Sequence, residues 1–533
     1  MTEEYRALLC HLEKEYPIKK ELFDASQLIS GIRVMIDEFK YSTFTMDLAC
    51  YILYRYLCVH TNYQPRLICA CCVIIASEYY EAETVNVERY LRISGHTHTE
   101  YTFIRLKWDM LEALDYSVML PNICRFITDC KYKDVTRLKD ALQIVYSNAN
   151  IITQYVPSEI AHAVDIILQS DTTDIDICSI LALSINSQYR DQHSNQQYET
   201  KSMSTISTIN DWSTYKKSAD IYRRIRKINM GAYGVVYEAE NLEQRCHVAI
   251  KKQNSPCSIA DTRDENKDIE YVSHTIIRIM SACKVMDHPN IMKLIDFYMV
   301  QRCMHFVFPL GKMSLQDYIG YAEKGLPIHQ IRDITRQILL GLQHMHNLGF
   351  IHRDIKPQNI IMYDNDIVKI TDFDLIRDVS CISNCNSIIG TGDEKNNSCS
   401  GHQLTEYVAT LWYRSVEILL GECKYTDKID IWSVGCIICC MLIGYTLFTG
   451  DSPIDQLFMI FRVLGTPGAE DNYCTRLSEW KTTFPKWERG RIPKMDTHGT
   501  RNLEDLVLKM FKYNPSERIS ATQALAHPFF TDV

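Results

Sequence analysis

The stretch His352-Arg353-Asp354-Ile355-Lys356-Pro357-Gln358-Asn359 places an acid, a lysine and an amide within six positions. Asp372 follows thirteen residues beyond Asn359, in Thr371-Asp372-Phe373-Asp374. Such a set suits the transfer of a phosphoryl group from ATP. One carboxylate receives the proton of a substrate hydroxyl, while an amide and a second carboxylate hold magnesium. A lone His-Arg-Asp triplet arises often by chance. Its continuation into Lys-Pro-x-Asn with Asp-Phe downstream does not. Asp354 is therefore read as the base, with Lys356 beside it, and Asn359 and Asp372 as metal ligands.

The totals set the frame. A chain of 533 residues has room for about three domains at ~100–200 residues each. Hydrophobic residues make up 46% and charged residues 23%, which are ordinary globular values. A net charge of −9 argues against a polyanion-binding surface, so no nucleic-acid partner is expected. The basic run Arg223-Arg224-Ile225-Arg226-Lys227 is read as the charged edge of a strand and not as a nuclear signal. The amino-terminal residues Met1-Thr2-Glu3-Glu4-Tyr5-Arg6 lack a basic segment followed by an apolar one, so no secretory leader is expected. The 21 cysteines are scattered, many in apolar runs. They read as reduced core thiols of an intracellular protein of the nucleus or cytoplasm. Cys436 and Cys439 have C-x-x-C spacing inside an apolar helical run without a second ligand pair, so zinc is not expected there. The run Trp432 to Phe448 is at the short limit for a membrane span and is interrupted by Ser433 and two glycines, so it reads as a buried helix. No membrane partner is expected.

Patterning divides the chain. Residues 1–192 read as all-helical. Leu67, Cys71, Ile74, Ile75 and Glu78 share one face of a 3.6-period helix, and Phe103, Leu106, Met110 and Leu114 share another. Residues 193–219 are polar and rich in Ser and Thr, a linker composition. From residue 220 to 533, β-branched runs and glycines come first and helical patterns later. The expected fold class is α+β: an all-helical domain, then a small sheet-rich lobe and a larger helical lobe.

With these motifs in place, residues 221–533 resemble the protein kinases. Asn229-Met230-Gly231-Ala232-Tyr233-Gly234-Val235-Val236 resembles the kinase glycine-rich loop, with Asn229 in place of the first glycine. Val248-Ala249-Ile250-Lys251 follows at kinase spacing. The resemblance implies that Lys251 holds the α- and β-phosphates of ATP. It implies further that the nucleotide lies among Ile228, Asn229, Gly231, Ala232, Tyr233, Gly234, Val236, Ala249, Phe308, Leu310, Gly311 and Ile361, with Mg2+ as the second cofactor.

Within that family the likeness is to the cyclin-dependent branch. It rests on Leu447-Phe448-Thr449-Gly450-Asp451-Ser452-Pro453, on Leu464-Gly465-Thr466-Pro467, and on Arg518-Ile519-Ser520-Ala521 with Ala526-His527-Pro528-Phe529-Phe530. Leu411-Trp412-Tyr413-Arg414 sits where such kinases shape the pocket after the phosphoacceptor. There proline is favoured, because any other residue would bring an N–H that finds no acceptor. Lys356 is the residue type of serine/threonine kinases. The implied substrates are proteins with Ser/Thr-Pro sites. Thr405 lies where the branch carries its activating phosphothreonine, which implies an activating kinase. Arg278, Arg353 and Arg377 are the guanidinium groups that would clamp that phosphate. Tyr233 resembles an inhibitory site in the glycine-rich loop.

Two departures stand out. The helix preceding His288-Pro289-Asn290 carries Ile279 where the family has the glutamate that pairs with Lys251, and Asp374 replaces the glycine of Asp-Phe-Gly. The first removes the expected partner of Lys251 and is expected to lower the rate. Glu417 and Arg518 are both kept, so a buried pair between them is expected.

Residues 25–192 resemble cyclins. Gly31 to Asp37, Ile75 to Glu81 and Leu111 to Tyr116 look like helices of a first box at about 25–120. Gln154 to Ala161 look like part of a shortened second box at about 121–192. Cyclins carry a lysine where this chain has Glu78 and a glutamate where it has Lys107, so both signs are reversed. A retained contact of reversed polarity, matched to the helix around Ile277, is expected at these two positions. The reading is a cyclin-like domain that activates its own kinase in cis. The alternative is a silent pseudokinase scaffold whose helical half binds a kinase in trans.

Overall fold

The computed structural model describes residues 26–57, 65–81, 87–93, 99–114, 118–119 and scattered positions between 123 and 164. It continues through 219–379, with breaks at 232–233, 254–273, 301–302 and 323, and through 411–531, with breaks at 423–424, 469–472 and 496–499. Thr405, Ala232, Tyr233, the stretch 193–218 and most of 121–192 lie outside the described residues.

The amino-terminal region is helical: α1 (Ser26–Glu38), α2 (Thr43–Leu57), α3 (Pro65–Tyr80), α4 (Val87–Ile93) and α5 (Glu100–Ala113). Every residue of α3 from Leu67 to Tyr79 is buried. The one-faced pattern of Leu67, Cys71, Ile74, Ile75 and Glu78 therefore understates this helix. It is apolar all round because α1, α2, α4 and α5 surround it. Cys69, Cys71 and Cys72 on α3 and Cys50 on α2 are buried free thiols. Burial pushes the Cys69 thiol up to about 12.

The sheet lobe comes next, with β1 (Tyr222–Met230), β2 (Gly234–Asn241), β3 (Cys246–Gln253), β4 (Asp296–Val300) and β5 (Cys303–Pro309), in the order β1-β2-β3-β5-β4 and all antiparallel. Between β3 and β4 runs α6 (His274–Val285). The basic run of β1 is the exposed strand edge that its composition indicates: Arg226 pairs with Glu238 at 2.7 Å and Arg223 with Glu240 across the β1–β2 ladder.

The helical lobe is built on α8 (Ile328–Asn347), which follows β6 (Met313–Ser314) and α7 (Leu315–Tyr321). Its buried residues Ile331, Ile334, Thr335, Ile338, Leu339, Gly341, Leu342 and Met345 recur at helical spacing and face the core. Short strands β7 (Phe350–Ile351), β8 (Ile360–Met362), β9 (Val368–Ile370) and β10 (Arg377–Asp378) carry the loops that matter most for chemistry. Beyond them lie α9 (Val416–Leu419), α10 (Lys428–Ile443), α11 (Pro453–Leu464), α12 (Arg501–Met510), α13 (Ala521–Leu525) and α14 (Pro528–Thr531). Helix α10 is buried from Ile429 to Ile443, with Cys436 and Cys439 inside it. No described helix is long and apolar enough to cross a membrane. The helical region, α6 and the helical lobe share one continuous apolar core.

Glu417 and Arg518 form the expected buried pair. Arg518 donates from two nitrogens to the two carboxylate oxygens at 2.6 and 2.8 Å, and both side chains are fully buried. Removing one partner leaves the other charge in the core without compensation, which costs ~3–5 kcal/mol. Arg518→Met is therefore expected to lower stability by about that amount, read as the shift in a denaturant midpoint. A midpoint equal to the parent's would refute the role given to the pair.

Candidate active site

The loop from His352 to Asn359 hangs between β7 and β8, and a single carboxylate sets its shape. Asp430, buried in the first turn of α10, accepts from the backbone amides of His352 and Arg353, each at 2.9 Å, and lies 2.9 Å from His346 Nε2. Burial alone would raise its pKa. The His346 and His352 interactions outweigh burial and hold the group below the usual carboxylate range. Arg353 has φ +69, a left-handed conformation that a residue other than glycine seldom adopts unless it is held there. The two amide bonds to Asp430 hold it.

Within this loop Asp354 is gripped from two sides. Lys356 Nζ donates to its carboxylate at 2.7 Å, and Asn359 Nδ2 donates to its carbonyl at 2.8 Å and its carboxylate at 3.0 Å. Asn359 thus spends its NH2 on Asp354, leaving its amide oxygen as the acceptor. His352 Nε2 reaches the carbonyl of Thr371 at 2.9 Å, which ties this loop to the segment bearing Asp372.

Lys251 closes the set. Its ammonium pairs with Asp372 Oδ1 and, at 2.6 Å, with Asp374 Oδ2. Gln253 Nε2 donates to the other oxygen of Asp374 at 2.8 Å. Burial opposes the charge on Lys251, but the two carboxylates win and raise its pKa above the ordinary lysine value. Burial likewise pushes Asp374 up, and repulsion from Asp372 adds to the effect. Burial also opposes the charge of Asp372, but Lys251 overcomes it and draws Asp372 down. This corrects the expectation that Ile279 leaves Lys251 without a partner. Ile279 is buried in the apolar core, and the carboxylate comes from Asp374 instead. Sequence reasoning saw that Asp374 had displaced a glycine but did not connect that replacement with the loss at Ile279.

The described residues among those read as a nucleotide pocket lie on or beside the strands that carry this cluster. Val236 stands opposite Lys251, and Ala249 opposite Phe308, in the strand ladders. Gly234 pairs with Gln253, and a Cβ added to it would lie 2.3 Å from the carbonyl of Lys252, so only glycine fits. Gly231 donates to the Gly234 carbonyl at 2.9 Å, with Ile228 and Asn229 exposed on β1 above. A Cβ on Gly311 would meet Ile361 at 2.1 Å, so Gly311 passes close to β8. The donor chemistry suits the implied cofactors. Asp372 and Asn359 offer hard oxygen ligands of the kind magnesium takes, and Lys251 offers a cation to phosphate. Among the described residues no three His, Cys, Asp or Glu side chains form a cage. Magnesium seldom needs one, since phosphates and water complete its shell. Beside Asp354 a groove is lined by Leu375, Tyr413, Arg414, Ser415 and Tyr425, the place read as the pocket after the phosphoacceptor.

Arg278, Arg353 and Arg377 do come together. Burial depresses the Arg278 guanidinium, with further lowering from Arg377 and Arg353. Their hydrogen bonds go largely to the helical region. Arg278 donates to the carbonyls of Tyr79 and Glu81 at 3.3 and 3.0 Å, and Arg377 donates to the carbonyl of Tyr80. These carbonyls end α3, where the helix dipole favours cations. Arg353 donates instead to the Leu375 carbonyl and the Tyr425 hydroxyl, each at 2.6 Å. The Tyr79 hydroxyl donates to Asp378 at 3.0 Å, and the Val118 amide to the Ser281 hydroxyl at 3.1 Å, contacts that no sequence pattern had marked. Glu78 and Lys107 meet each other. Lys107 Nζ donates to both oxygens of Glu78 at 2.7 and 2.6 Å, and both residues are buried.

Two families match this chain. The protein kinase domain matches residues 222–530, more than half of the chain, and the cyclin N-terminal domain matches residues 8–119. The order of the two matches is the order of the helical region and the two-lobed unit described above.

Substitutions at two places probe this geometry. An asparagine at position 430 would accept from only one of the two loop amides and set its own NH2 against the other. Asp430→Asn is therefore expected to lower turnover at least ~10-fold, as removal of a positioned hydrogen-bond partner does. Steady-state assays at saturating substrate check this. Glu78→Lys alone puts two ammonium groups into one buried site and is expected to cost ~3 kcal/mol or more in thermal unfolding. The double change Glu78→Lys with Lys107→Glu restores opposite charges and is expected to recover most of that loss.

Proposed function

The chain belongs to the protein kinase family, and we propose that it is an ATP- and magnesium-dependent Ser/Thr protein kinase of the cyclin-dependent type, activated in cis by its own cyclin domain. The observation that carries this reading is the gathering of Asp354, Lys356 and Asn359 on one loop with Asp372 and Lys251 beside it. A chain that had abandoned catalysis would have no reason to keep this set.

The roles follow from the chemistry. Asp354 accepts the proton of the substrate hydroxyl, and Lys356, 2.7 Å away, compensates charge that builds beside it. Asn359 and Asp372 hold the metal, while Lys251 receives the negative charge of the phosphates. When bound, magnesium would supply the positive charge that neutralises what develops on the phosphates. The groove walled by Tyr413 and Arg414 receives the residue after the phosphoacceptor, and the likeness of Leu411 to Arg414 to the cyclin-dependent branch favours proline there.

Activation in cis is supported by the bonds from Arg278 and Arg377 to the end of α3 and by the continuous core across α3 and α6. A flexible tether of about 27 residues would span roughly 30 Å, which is compatible with docking within one chain and would raise the local concentration towards the millimolar range. Thr405 is the proposed site for an activating kinase, with Arg353 completing the arginine cluster. Tyr233 is proposed as an inhibitory site.

The decisive measurement is phosphate transfer from magnesium-ATP to paired Ser-Pro and Ser-Ala peptides. The parent chain is expected to phosphorylate the Ser-Pro peptide in preference, and Asp354→Asn is expected to lose turnover by ~10³-fold or more. Absence of transfer by the parent would sink the enzyme reading. Equal use of both peptides would sink proline direction alone.

A further inference from the structure

The carboxylate that holds Lys251 has changed its place in the fold. On α6 the position is Ile279, an apolar residue 2% exposed and packed in the core. Asp374 instead approaches from the segment after Asp372 and Phe373 and reaches Lys251 Nζ at 2.6 Å. We propose that Asp374 is the positioning residue for Lys251, taking over from α6 the ion pair that aligns the lysine. This rests on the phosphotransfer reading above.

Three features of the geometry carry it. The first is chelation by one strand. Residues two apart share a face of a strand, so β3 presents Lys251 and Gln253 to the same side. Together they engage both oxygens of Asp374, at 2.6 and 2.8 Å. The second is confinement. The Asp374 side chain is only 2% exposed, and Phe373 beside it is buried with the His352 ring set edge-on at 5.8 Å. So enclosed, and held at both oxygens, the carboxylate keeps its orientation. Asp374 does not have a positive φ, so the backbone there accepts a side chain in place of glycine.

The third is division of labour. Asp372 also touches Lys251, but its side chain is 28% exposed and its oxygens are those a magnesium ion would take. Once those oxygens serve the metal, Asp374 is the carboxylate left to Lys251. The lysine is then aligned by the same segment that presents Asp372, and α6 reaches it by packing instead of by an ion pair. Docking of the helical region against α6 therefore does not set the Lys251 partner directly.

A double-mutant cycle on the full chain tests this, with Asp374→Asn, Lys251→Met and the two combined. Turnover, the KM for ATP and the KM for a Ser-Pro peptide are measured, together with thermal unfolding of the nucleotide-free protein. Asp374→Asn is expected to lower kcat about tenfold while leaving the peptide KM within about twofold. In the Lys251→Met background the same change is expected to have no further effect, because groups that act through one another do not add. In unfolding, the shift caused by Asp374→Asn is expected to fall by more than half once Lys251 is methionine. Parent-like kcat in Asp374→Asn, or losses that multiply in the double variant, would overturn the proposal. Lack of transfer by the parent would defeat the enzyme reading, and the unfolding cycle would still decide whether Asp374 and Lys251 act as a pair.

Discussion

Lys251 carries its charge into the interior, and a buried ammonium needs carboxylates close by. Its pairing with Asp372 and Asp374 joins β3 to the segment between β9 and β10 and so connects the sheet lobe to the helical lobe at the cleft. The same requirement recurs wherever this protein buries charge. Asp430 is stable in the core because His346 and two amides surround it, and Glu417 because Arg518 meets both of its oxygens. Each such carboxylate fixes a loop that local propensity would leave free. The reason is energetic: an unpaired buried charge costs several kcal/mol, so the backbone settles where pairing is complete.

The contact between the two halves follows the same logic with partial charges. Helix α3 ends in carbonyls that no further turn satisfies. Arg278 and Arg377 supply the missing donors from the kinase side, and Tyr79 returns a hydrogen bond to Asp378. The apolar surroundings of α3 and α6 exclude water, which strengthens these bonds. Glu78 and Lys107, one residue before Tyr79 and across on α5, neutralise each other within the helical region. Their reversed signs are therefore preserved as a pair, whatever their order.

The likeness to known families was legible because motif spacing is a property of the chain. Asp354, Asn359 and Asp372 could be singled out from residue types and spacing, and Lys251 and the Glu417–Arg518 pair through the resemblance to the kinase family. Periodicity located α3 and α5, but it read α3 as one-faced. A short apolar run does not show how many neighbours will surround it. Asp374 illustrates the other limit. As a residue it was plainly a departure from glycine, yet nothing in its spacing to Ile279, 95 positions earlier, links the two.

What the sequence by itself determined is the inventory: a helical cyclin region, a linker composition, a kinase region and the chemical groups needed for phosphoryl transfer. Those follow from local patterns of charge, hydrophobicity and glycine and from motifs that resemble two families, none of which needs knowledge of distant neighbours. Only the tertiary structure decided which charges meet. It gave Lys251 to Asp374, Glu78 to Lys107 and the arginines to the end of α3. Pairing of buried charge depends on separations of about 3 Å, and such separations arise only when segments far apart in the chain are packed together.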